Sequence, residues 1–332
     1  MRHRHYHCVS ARSPAELGHK LGLRFGGIMR RYLEEARESA DWYDWVALSK
    51  DLLDSTQRSF PGYVEELAAY GEAAKIPISE LWALSLGDEF DHGAGHCTTV
   101  VTNGGRLLLH NEDWDSYSAD AICLLRKTLG ELTILELYYY GTPLGGSAVS
   151  INSWGNIHAV NSLTHSDRGI GVPKAIVARW LSESREIETN LEYVRGLQRA
   201  SGYNHVLISS GGTLVDVECS AREMVILHPT APYVHTNHFL SDQLERMNAT
   251  TSTPSSVQRY AAAKRIAKPF MSAEELIAVS DDRSGGSECS IMNRNTIAKM
   301  LVDLDACAAK VWLRREARAG WITYPLDFLD CA

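Results

Sequence analysis

The chain changes from helical to strand-forming patterns at one stretch, Thr98-Thr99-Val100-Val101-Thr102-Asn103-Gly104-Gly105-Arg106-Leu107-Leu108-Leu109-His110. Two apolar, strand-forming runs flank Asn103-Gly104, a dipeptide typical of tight hairpin turns. The stretch therefore predicts two antiparallel strands joined by a short turn. Because a hairpin brings its two ends together, Cys97, directly before the first strand, is expected to lie near the polar residues that follow His110.

Residues 13 to about 90, on the N-terminal side of the hairpin, carry helical patterns. Ser13-Pro14-Ala15-Glu16 supplies a helix cap, a proline in the first turn and an early negative charge. Apolar residues then recur at helical spacing, and the same pattern returns at 61–74 and 78–86. The first quarter of the chain is therefore predicted to be α-helical.

Sheet dominates after the hairpin. Apolar, β-branched runs predict strands at 121–126, 132–139, 146–152, 157–162, 205–209, 213–218, 224–228, 233–236, 296–303 and 308–314. Helical spacing predicts helices at 173–183, 186–199, 256–266 and 272–280. Groups of strands separated by helix pairs predict an α+β layered architecture, in which helices cover stacked sheets.

Composition narrows the function classes. The 332 residues are 45% hydrophobic and 22% charged, which is ordinary for a globular protein. A net charge of -8, from 33 basic and 41 acidic residues, argues against nucleic acid as a partner. The sequence shows neither a membrane-spanning run nor an apolar signal-peptide region after Met1, so no membrane partner and a cytoplasmic location are expected.

Three polar features could carry chemistry. The first is Cys97; the alternative for a lone cysteine is a buried core thiol that does not react. The second is the run His110-Asn111-Glu112-Asp113-Trp114-Asp115, which could also be a solvated turn. The third is His235-Thr236-Asn237-His238. No metal-ligand spacing such as HExxH accompanies these histidines, so no metal and no cofactor are expected.

These features jointly resemble one family, the isopenicillin N acyltransferase-like cysteine hydrolases of the N-terminal nucleophile superfamily. The resemblance spans most of the chain. It depends on four motifs that occur in the family's order, namely Cys97-Thr98-Thr99, Asp113-Trp114-Asp115, Ala159-Val160-Asn161 followed by Gly171-Val172-Pro173, and His235-Thr236-Asn237-His238. It implies a four-layer αββα sandwich with a helical N-terminal segment.

The resemblance also implies that the chain cuts itself between His96 and Cys97. Residues 1–96 would form a helical smaller chain and residues 97–332 the catalytic chain, and both would remain associated in one integrated domain. A free α-amino group has a pKa of about 7.7 to 8.0, so the new terminus of Cys97 could accept the proton of its own thiol. One departure is His96, where the penicillin-maturing member has glycine.

The family's site residues can be carried over position by position. Cys97 would be the nucleophile and supply the α-amino base, and Asp115 would orient that amine. Asn237 would stabilise the oxyanion, as preorganised amide donors do. Asn161 would add a hydrogen bond, and Arg294 is matched to a family arginine near the nucleophile. A surface arginine before a strand is the alternative for Arg294.

The resulting functional prediction is an autoprocessing cysteine amidohydrolase that acts on a small N-acyl or β-aminoacyl amide. One alternative is acyl transfer from a thioester, such as acyl-CoA, to an amine. An uncleaved, non-catalytic binding protein of the same fold is another. A metalloenzyme built from His110, His235 and His238 is a third. The sequence leaves open whether two processed pairs form a homo-oligomer.

Overall fold

The computed structural model describes residues 2–89, 97–146, 148–250 and 254–329. Within these ranges the α-helices are α1 Pro14–Ala36, α2 Trp42–Ser59, α3 Pro61–Ala74, α4 Ile78–Ser85, α5 Lys174–Ser182, α6 Ile187–Gly196, α7 Pro254–Ile266, α8 Ala273–Ser280 and α9 Gly286–Cys289. The strands are β1 Tyr6–Ala11, β2 Thr98–Thr102, β3 Leu107–Asp113, β4 Ile122–Leu129, β5 Leu132–Tyr139, β6 Val149–Asn152, β7 Ile157–Ser162, β8 Tyr203–Ile208, β9 Leu214–Cys219, β10 Met224–Leu227, β11 Tyr233–His235, β12 Thr296–Asp303, β13 Ala308–Leu313 and β14 Ile322–Pro325. None of the helices in these ranges is long and apolar enough to cross a bilayer.

Helix α1 begins at the cap that the sequence predicts. The Ser13 side chain accepts a hydrogen bond from the backbone N–H of Glu16 at 3.2 Å. The buried face of α1 includes a row of glycines that lets its backbone approach α3. A Cβ atom added at Gly18 would lie 1.9 Å from the carbonyl oxygen of Glu66. The close approach of the two helices therefore requires glycine at this position.

The strands form two sheets. The first has the order β1-β4-β5-β6-β7-β8-β9-β10 and the second β11-β2-β3-β12-β13-β14. Among the strand pairs of the described residues only β1–β4 is parallel, and an isolated bridge between Val172 and Arg199 is parallel as well. The predicted hairpin is confirmed as β2 and β3, which pair antiparallel with Thr98 opposite Asn111. These two strands lie inside the second sheet, so Cys97 enters its interior.

Three apolar cores separate four layers. The first core joins helices α1 to α6 to the outer face of the eight-stranded sheet. The second lies between the two sheets, where residues such as Leu124 and Leu137 share a core with Leu108 and Met300. The third joins the six-stranded sheet to α7 and α8. The predicted αββα sandwich is therefore confirmed.

Two strands depart from the sequence prediction. Strand β1 lies within the N-terminal segment that the sequence predicts as helical, and it pairs along its length with β4. Strand β14 lies at the edge of the second sheet beside β13. Both are edge strands that are only partly buried, and neither contains a long apolar run of the kind that marks the predicted strands.

Candidate active site

Cys97 directly precedes β2 and is buried, with 4% of its surface exposed. The hairpin places it beside the last residues of β3. Its Sγ atom lies 3.2 Å from Oε2 of Glu112 and 3.8 Å from the backbone oxygen of Asp113. The predicted proximity between Cys97 and the polar run is therefore confirmed. His96, the other half of the predicted cleavage site, lies outside the described residues.

The carboxylates nearest the thiol differ from the one expected. Asp115 is an exposed residue beyond the end of β3, where its backbone oxygen accepts a hydrogen bond from Ser118. Asp113 is fully buried, and its Oδ2 accepts a hydrogen bond from Asn293 at 2.5 Å. Strand β3 continues to Asp113, three residues beyond the predicted end of the strand, and this extension carries Glu112 and Asp113 to Cys97.

A buried hydrogen-bond network extends from the thiol across both sheets. The Tyr139 hydroxyl donates to Oε1 of Glu112 at 2.5 Å, and Oε2 lies 2.8 Å from Nε2 of His110. On the other side of the ring, Nδ1 of His110 lies 2.9 Å from Oγ1 of Thr99. Thr99 in turn donates to Oδ1 of Asn161 at 2.9 Å. The network connects the predicted site residue Asn161 to Cys97 through three side chains.

Asn237 lies in the loop after β11 and is held from three sides. Its backbone N–H donates to Ser256 at 2.8 Å, and its Nδ2 donates to the backbone oxygen of Ser162 at 2.9 Å. Its Oδ1 accepts from Nη2 of Arg259 at 2.7 Å. Asn237 is therefore buried and fixed in orientation, as an oxyanion donor requires.

Arg259, on α7, is a site residue that sequence reasoning missed. Its Nη1 donates to the backbone oxygen of Cys97 at 2.6 Å and to Oγ1 of Thr98 at 2.9 Å. The side chain is fully buried, which lowers the pKa of the guanidinium, while Asp113 opposes that shift. The sequence carries a signal for it, because an arginine stands on the buried face of α7 with Ser255, Ser256, Ala262 and Ala263.

Arg294 occupies a different environment. Two-thirds of its side chain is exposed, and Nε pairs with the exposed carboxylate of Glu288 at 3.0 Å. Among the described residues it makes no hydrogen bond to Cys97. The buried arginine that donates a hydrogen bond to Cys97 is Arg259.

The electrostatic environment favours a neutral thiol in the intact chain. Burial raises the pKa of Cys97 well above its usual value, and the carboxylates of Glu112 and Asp113 raise it further. Burial also raises the pKa of Asp113 to about 7, and Arg259 opposes this shift. A thiolate at this position therefore requires a group that accepts its proton during the reaction.

Within the part of the chain that the structure describes, two buried groups have the side chains of a metal site. They are Cys97, His110 and Glu112, and Asp216, Glu218 and His235. Within each group a histidine already lies within hydrogen-bonding distance of a carboxylate. The third histidine of the metalloenzyme hypothesis, His238, lies 2.8 Å from the Ser256 hydroxyl. His110 and His235 belong to separate groups, so the structure does not bring the three histidines together.

A cavity of about 370 Å³ opens at Cys97 and Glu112. Its walls are largely apolar and include Leu84, Trp114, Ala148 and Val160. Asp88 and Tyr203 form part of its polar lining, where the Tyr203 hydroxyl donates to Asp88 at 2.6 Å. The charged residues among its described lining are Asp88 and Glu112, and both are acidic.

Residues 100–318 match the family described as acyl-coenzyme A:6-aminopenicillanic acid acyl-transferase. The chain belongs to this family. It is therefore an enzyme with acyltransferase or amidohydrolase activity, and the family resemblance seen in the sequence is confirmed.

Two curated relatives are similar in sequence. The acyl-coenzyme A:6-aminopenicillanic-acid-acyltransferase 40 kDa form of Emericella nidulans is 22% identical over 289 residues, which cover 82% of this chain and 80% of that protein. The beta-alanyl-dopamine/carcinine hydrolase of Drosophila melanogaster is 24% identical over 178 residues, which cover 45% of this chain and 46% of that protein.

Two solved structures are also similar. A variant of conjugated bile acid hydrolase from Clostridium perfringens aligns with a TM-score of 0.48 and 11% identity, over 70% of this chain and 92% of that chain. Penicillin V acylase from Agrobacterium tumefaciens aligns with a TM-score of 0.41 and 11% identity, over 66% of this chain and 83% of that chain.

Proposed function

We propose that this protein is a self-processing cysteine amidohydrolase whose nucleophile is Cys97 and whose substrate is a small amide. The observation that carries the proposal is the position of the Cys97 thiol, which lines a cavity at the start of an interior strand and lies among buried polar side chains. Nucleophile, amide donors and a binding cavity together are what acyl transfer requires.

Processing would begin with attack of the Cys97 thiol on the carbonyl carbon of His96. The resulting thioester would be hydrolysed, leaving a free α-amino group on Cys97. That amine has a pKa near neutrality and could take the thiol proton in later turnovers. Asp113 is better placed than Asp115 to orient the amine. Its Oδ1 is buried without a hydrogen-bond partner among the described residues, so it can accept from an ammonium group.

Asn237 and Asn161 would stabilise the oxyanion. Arg259 and Ser162 fix the amide plane of Asn237 and leave one N–H of Nδ2 for a substrate oxygen. Nδ2 of Asn161 is buried and has no hydrogen-bond partner among the described residues. A buried donor without a partner costs stability, and a substrate or intermediate oxygen would satisfy it.

The cavity favours a small, neutral or cationic acyl group. Its volume of about 370 Å³ is near the lower end for ligand sites. Asp88 and Glu112 line it with carboxylates, which attract an ammonium group and repel an anion. Asp88 also pairs at 3.6 Å with Lys174, which is not part of the described lining. A β-aminoacyl amide combines small size with such an ammonium group. The Drosophila relative, named as a beta-alanyl-dopamine/carcinine hydrolase, supports the same substrate class.

Matched substrates test this proposal. β-Alanyl and butyryl p-nitroanilide have acyl groups of equal length, and only the first carries an amine. We expect the processed protein to cleave the β-alanyl compound with the higher kcat/KM, and Asp88→Asn to reduce this preference about tenfold, as loss of about 1.4 kcal/mol would. Equal cleavage by Cys97→Ala would overturn the proposal.

The same assay separates hydrolysis from acyl transfer. Butyryl-CoA with an added amine replaces the nitroanilides, and the release of CoA is followed. Faster CoA release that depends on the amine, with little anilide cleavage, would favour the acyltransferase alternative. Amide cleavage that does not respond to an acceptor amine supports hydrolysis.

A further inference from the structure

We propose that Glu112, coupled to His110, accepts the proton of the Cys97 thiol in the intact chain, before any free α-amine exists. This inference rests on the proposed self-cleavage. It assigns a catalytic role to a residue that the family resemblance leaves without one.

Self-cleavage requires a base other than the α-amine. In the intact chain the nitrogen of Cys97 belongs to a peptide bond, and an amide nitrogen does not accept a proton near neutral pH. The buried thiol is also held in its neutral form by burial and by neighbouring carboxylates. The first reaction of this site therefore needs a proton acceptor that the folded chain already contains.

Glu112 has the required contact. Its Oε2 is 3.2 Å from Sγ of Cys97, within hydrogen-bonding distance for sulfur. The carboxylate is 8% exposed and fixed by two further partners, the Tyr139 hydroxyl on Oε1 and the His110 ring on Oε2. Asp113, by contrast, presents its backbone oxygen to the thiol. Glu112 is thus the carboxylate placed to receive the proton.

The hydrogen bonds of His110 identify the state in which Glu112 can receive the proton. Thr99 has a single hydroxyl hydrogen and donates it to Oδ1 of Asn161, so it must accept from Nδ1–H of His110. The other nitrogen, Nε2, then faces Glu112 at 2.8 Å. In the state that can react, the ring donates Nε2–H to an ionised carboxylate. Glu112 can then receive the thiol proton while His110 holds the carboxylate in place.

The chemical step balances without any other reactant. The thiol proton moves to Oε2 of Glu112 as the Sγ–C bond to the carbonyl carbon of His96 forms. The C–N bond between His96 and Cys97 then breaks, and the same proton passes to the departing nitrogen as it becomes an amine. Glu112 ends the step in the protonation state in which it began.

Glu112→Gln provides the test. Glutamine keeps the size of the side chain and can still bond to Tyr139 and His110, but it cannot serve as a base. The control is Glu136→Gln, because Glu136 is also buried on a strand and pairs with Lys127 at 3.2 Å, away from the thiol. Full-length protein is isolated early, and the fraction cut is followed by intact mass. Circular dichroism verifies that each variant is folded.

We expect Glu112→Gln to cut itself at least 100-fold more slowly than wild type, the lower range for general-base catalysis. Its remaining rate should rise about tenfold per pH unit, since hydroxide must then take the thiol proton. The Glu136→Gln rate should stay within about threefold of wild type. Among the described residues, the titratable groups facing Glu112 are Cys97, His110, Tyr139, Asp113 and Tyr203.

The outcomes separate this inference from the proposed function. Wild-type protein that never cuts itself would overturn the proposed self-cleavage and this inference with it. Wild-type cleavage with an unchanged rate in folded Glu112→Gln would overturn this inference alone. If the glutamine variant does not fold, Glu112→Asp replaces it. That variant keeps a carboxylate one methylene farther from Sγ, and an unchanged rate would again contradict the inference.

Discussion

The guanidinium of Arg259 donates to Oδ1 of Asn237 across 2.7 Å, and to the backbone oxygen of Cys97 across 2.6 Å. One buried side chain thus connects Cys97, the proposed nucleophile, to Asn237, the residue proposed to stabilise the oxyanion. Arginine suits this position because its donors form a rigid planar fork. The relative placement of these two groups decides how well the oxyanion is stabilised.

Replacing Arg259 should impair the enzyme far more than replacing Arg294. Lysine in Arg259→Lys lacks the planar guanidinium that donates to Asn237 and Cys97 together. We therefore expect kcat/KM to fall at least about 100-fold and the unfolding free energy to fall by about 3 kcal/mol. Arg294→Ala removes only an exposed pair with Glu288. Its unfolding free energy should change by less than about 0.5 kcal/mol. Steady-state kinetics and urea unfolding measure both, and the reverse order would restore Arg294 as the site arginine.

Asp113 and Asp115 can be distinguished in the same way. Asp113→Asn removes the carboxylate proposed to orient the new amine, so the processed enzyme should lose at least about tenfold in kcat. Asp115→Asn changes an exposed residue and should leave kcat within about twofold. Kinetics on the same anilide substrate decide between them. A large loss in Asp115→Asn alone would return the amine-orienting role to that residue.

Asp113 also predicts how stability depends on pH. Burial raises its folded pKa to about 7, whereas the unfolded value is about 3.9. The folded protein therefore holds a proton that the unfolded chain releases over this window. The contribution of protonated Asp113 to the unfolding free energy is fully present below pH 4 and is lost as pH rises towards 7.

Urea unfolding in a Cys97→Ala background, which prevents cleavage, measures this effect. Between pH 4 and 7 the unfolding free energy of Cys97→Ala should fall by about 3 kcal/mol more than that of the double variant that also carries Asp113→Asn. Burial also raises the pKa values of Glu89 and Asp216, to about 7 and about 6. Both residues are present in both proteins, so their effects cancel when the two pH dependences of the unfolding free energy are subtracted. Parallel curves for the two proteins would show that Asp113 is not protonated in the folded state.

The two chains produced by cleavage should remain associated. Arg179 on α5 donates to both carboxylate oxygens of Glu66 on α3, at 3.0 and 2.7 Å, and both side chains are buried. Breaking a buried ion pair costs about 3 to 5 kcal/mol. Processed Glu66→Ala should therefore separate into its chains at lower urea than wild type.

Size-exclusion chromatography in a urea series measures the separation. Arg195→Ala serves as the control, since Arg195 forms an exposed pair with Glu192 at 3.6 Å and should behave as wild type. Chains of the wild-type protein that separate without urea would contradict the prediction.

The sequence predicts most of the fold because its signals are local. The Ser13 cap and the Asn103-Gly104 turn are both found where they are predicted. Strands with strong apolar runs, such as Leu132–Tyr139, are found at the predicted bounds. Strand β1 is not predicted because its partner, β4, is more than a hundred residues away. Its existence depends on a tertiary contact rather than on its own pattern.

The site is less predictable because it depends on register and on distant helices. Cys97 and the polar run could be brought together from the hairpin alone. Which of Glu112, Asp113 and Asp115 faces the thiol depends on where β3 ends, and the sequence underestimates that length. Arg259 reaches Cys97 from α7, 162 residues along the chain. The helical pattern of α7 places Arg259 on a buried face, but it does not show that this face covers Cys97.

Self-cleavage before Cys97 is tested most directly by the intact mass of the purified protein under denaturing conditions, beside Cys97→Ala prepared in parallel. We predict two wild-type fragments whose masses meet between His96 and Cys97, and only full-length protein for the variant. A single uncut chain in both preparations would contradict self-cleavage, because Cys97 would then lack its amino-group base, and would favour an uncleaved binding protein of the same fold.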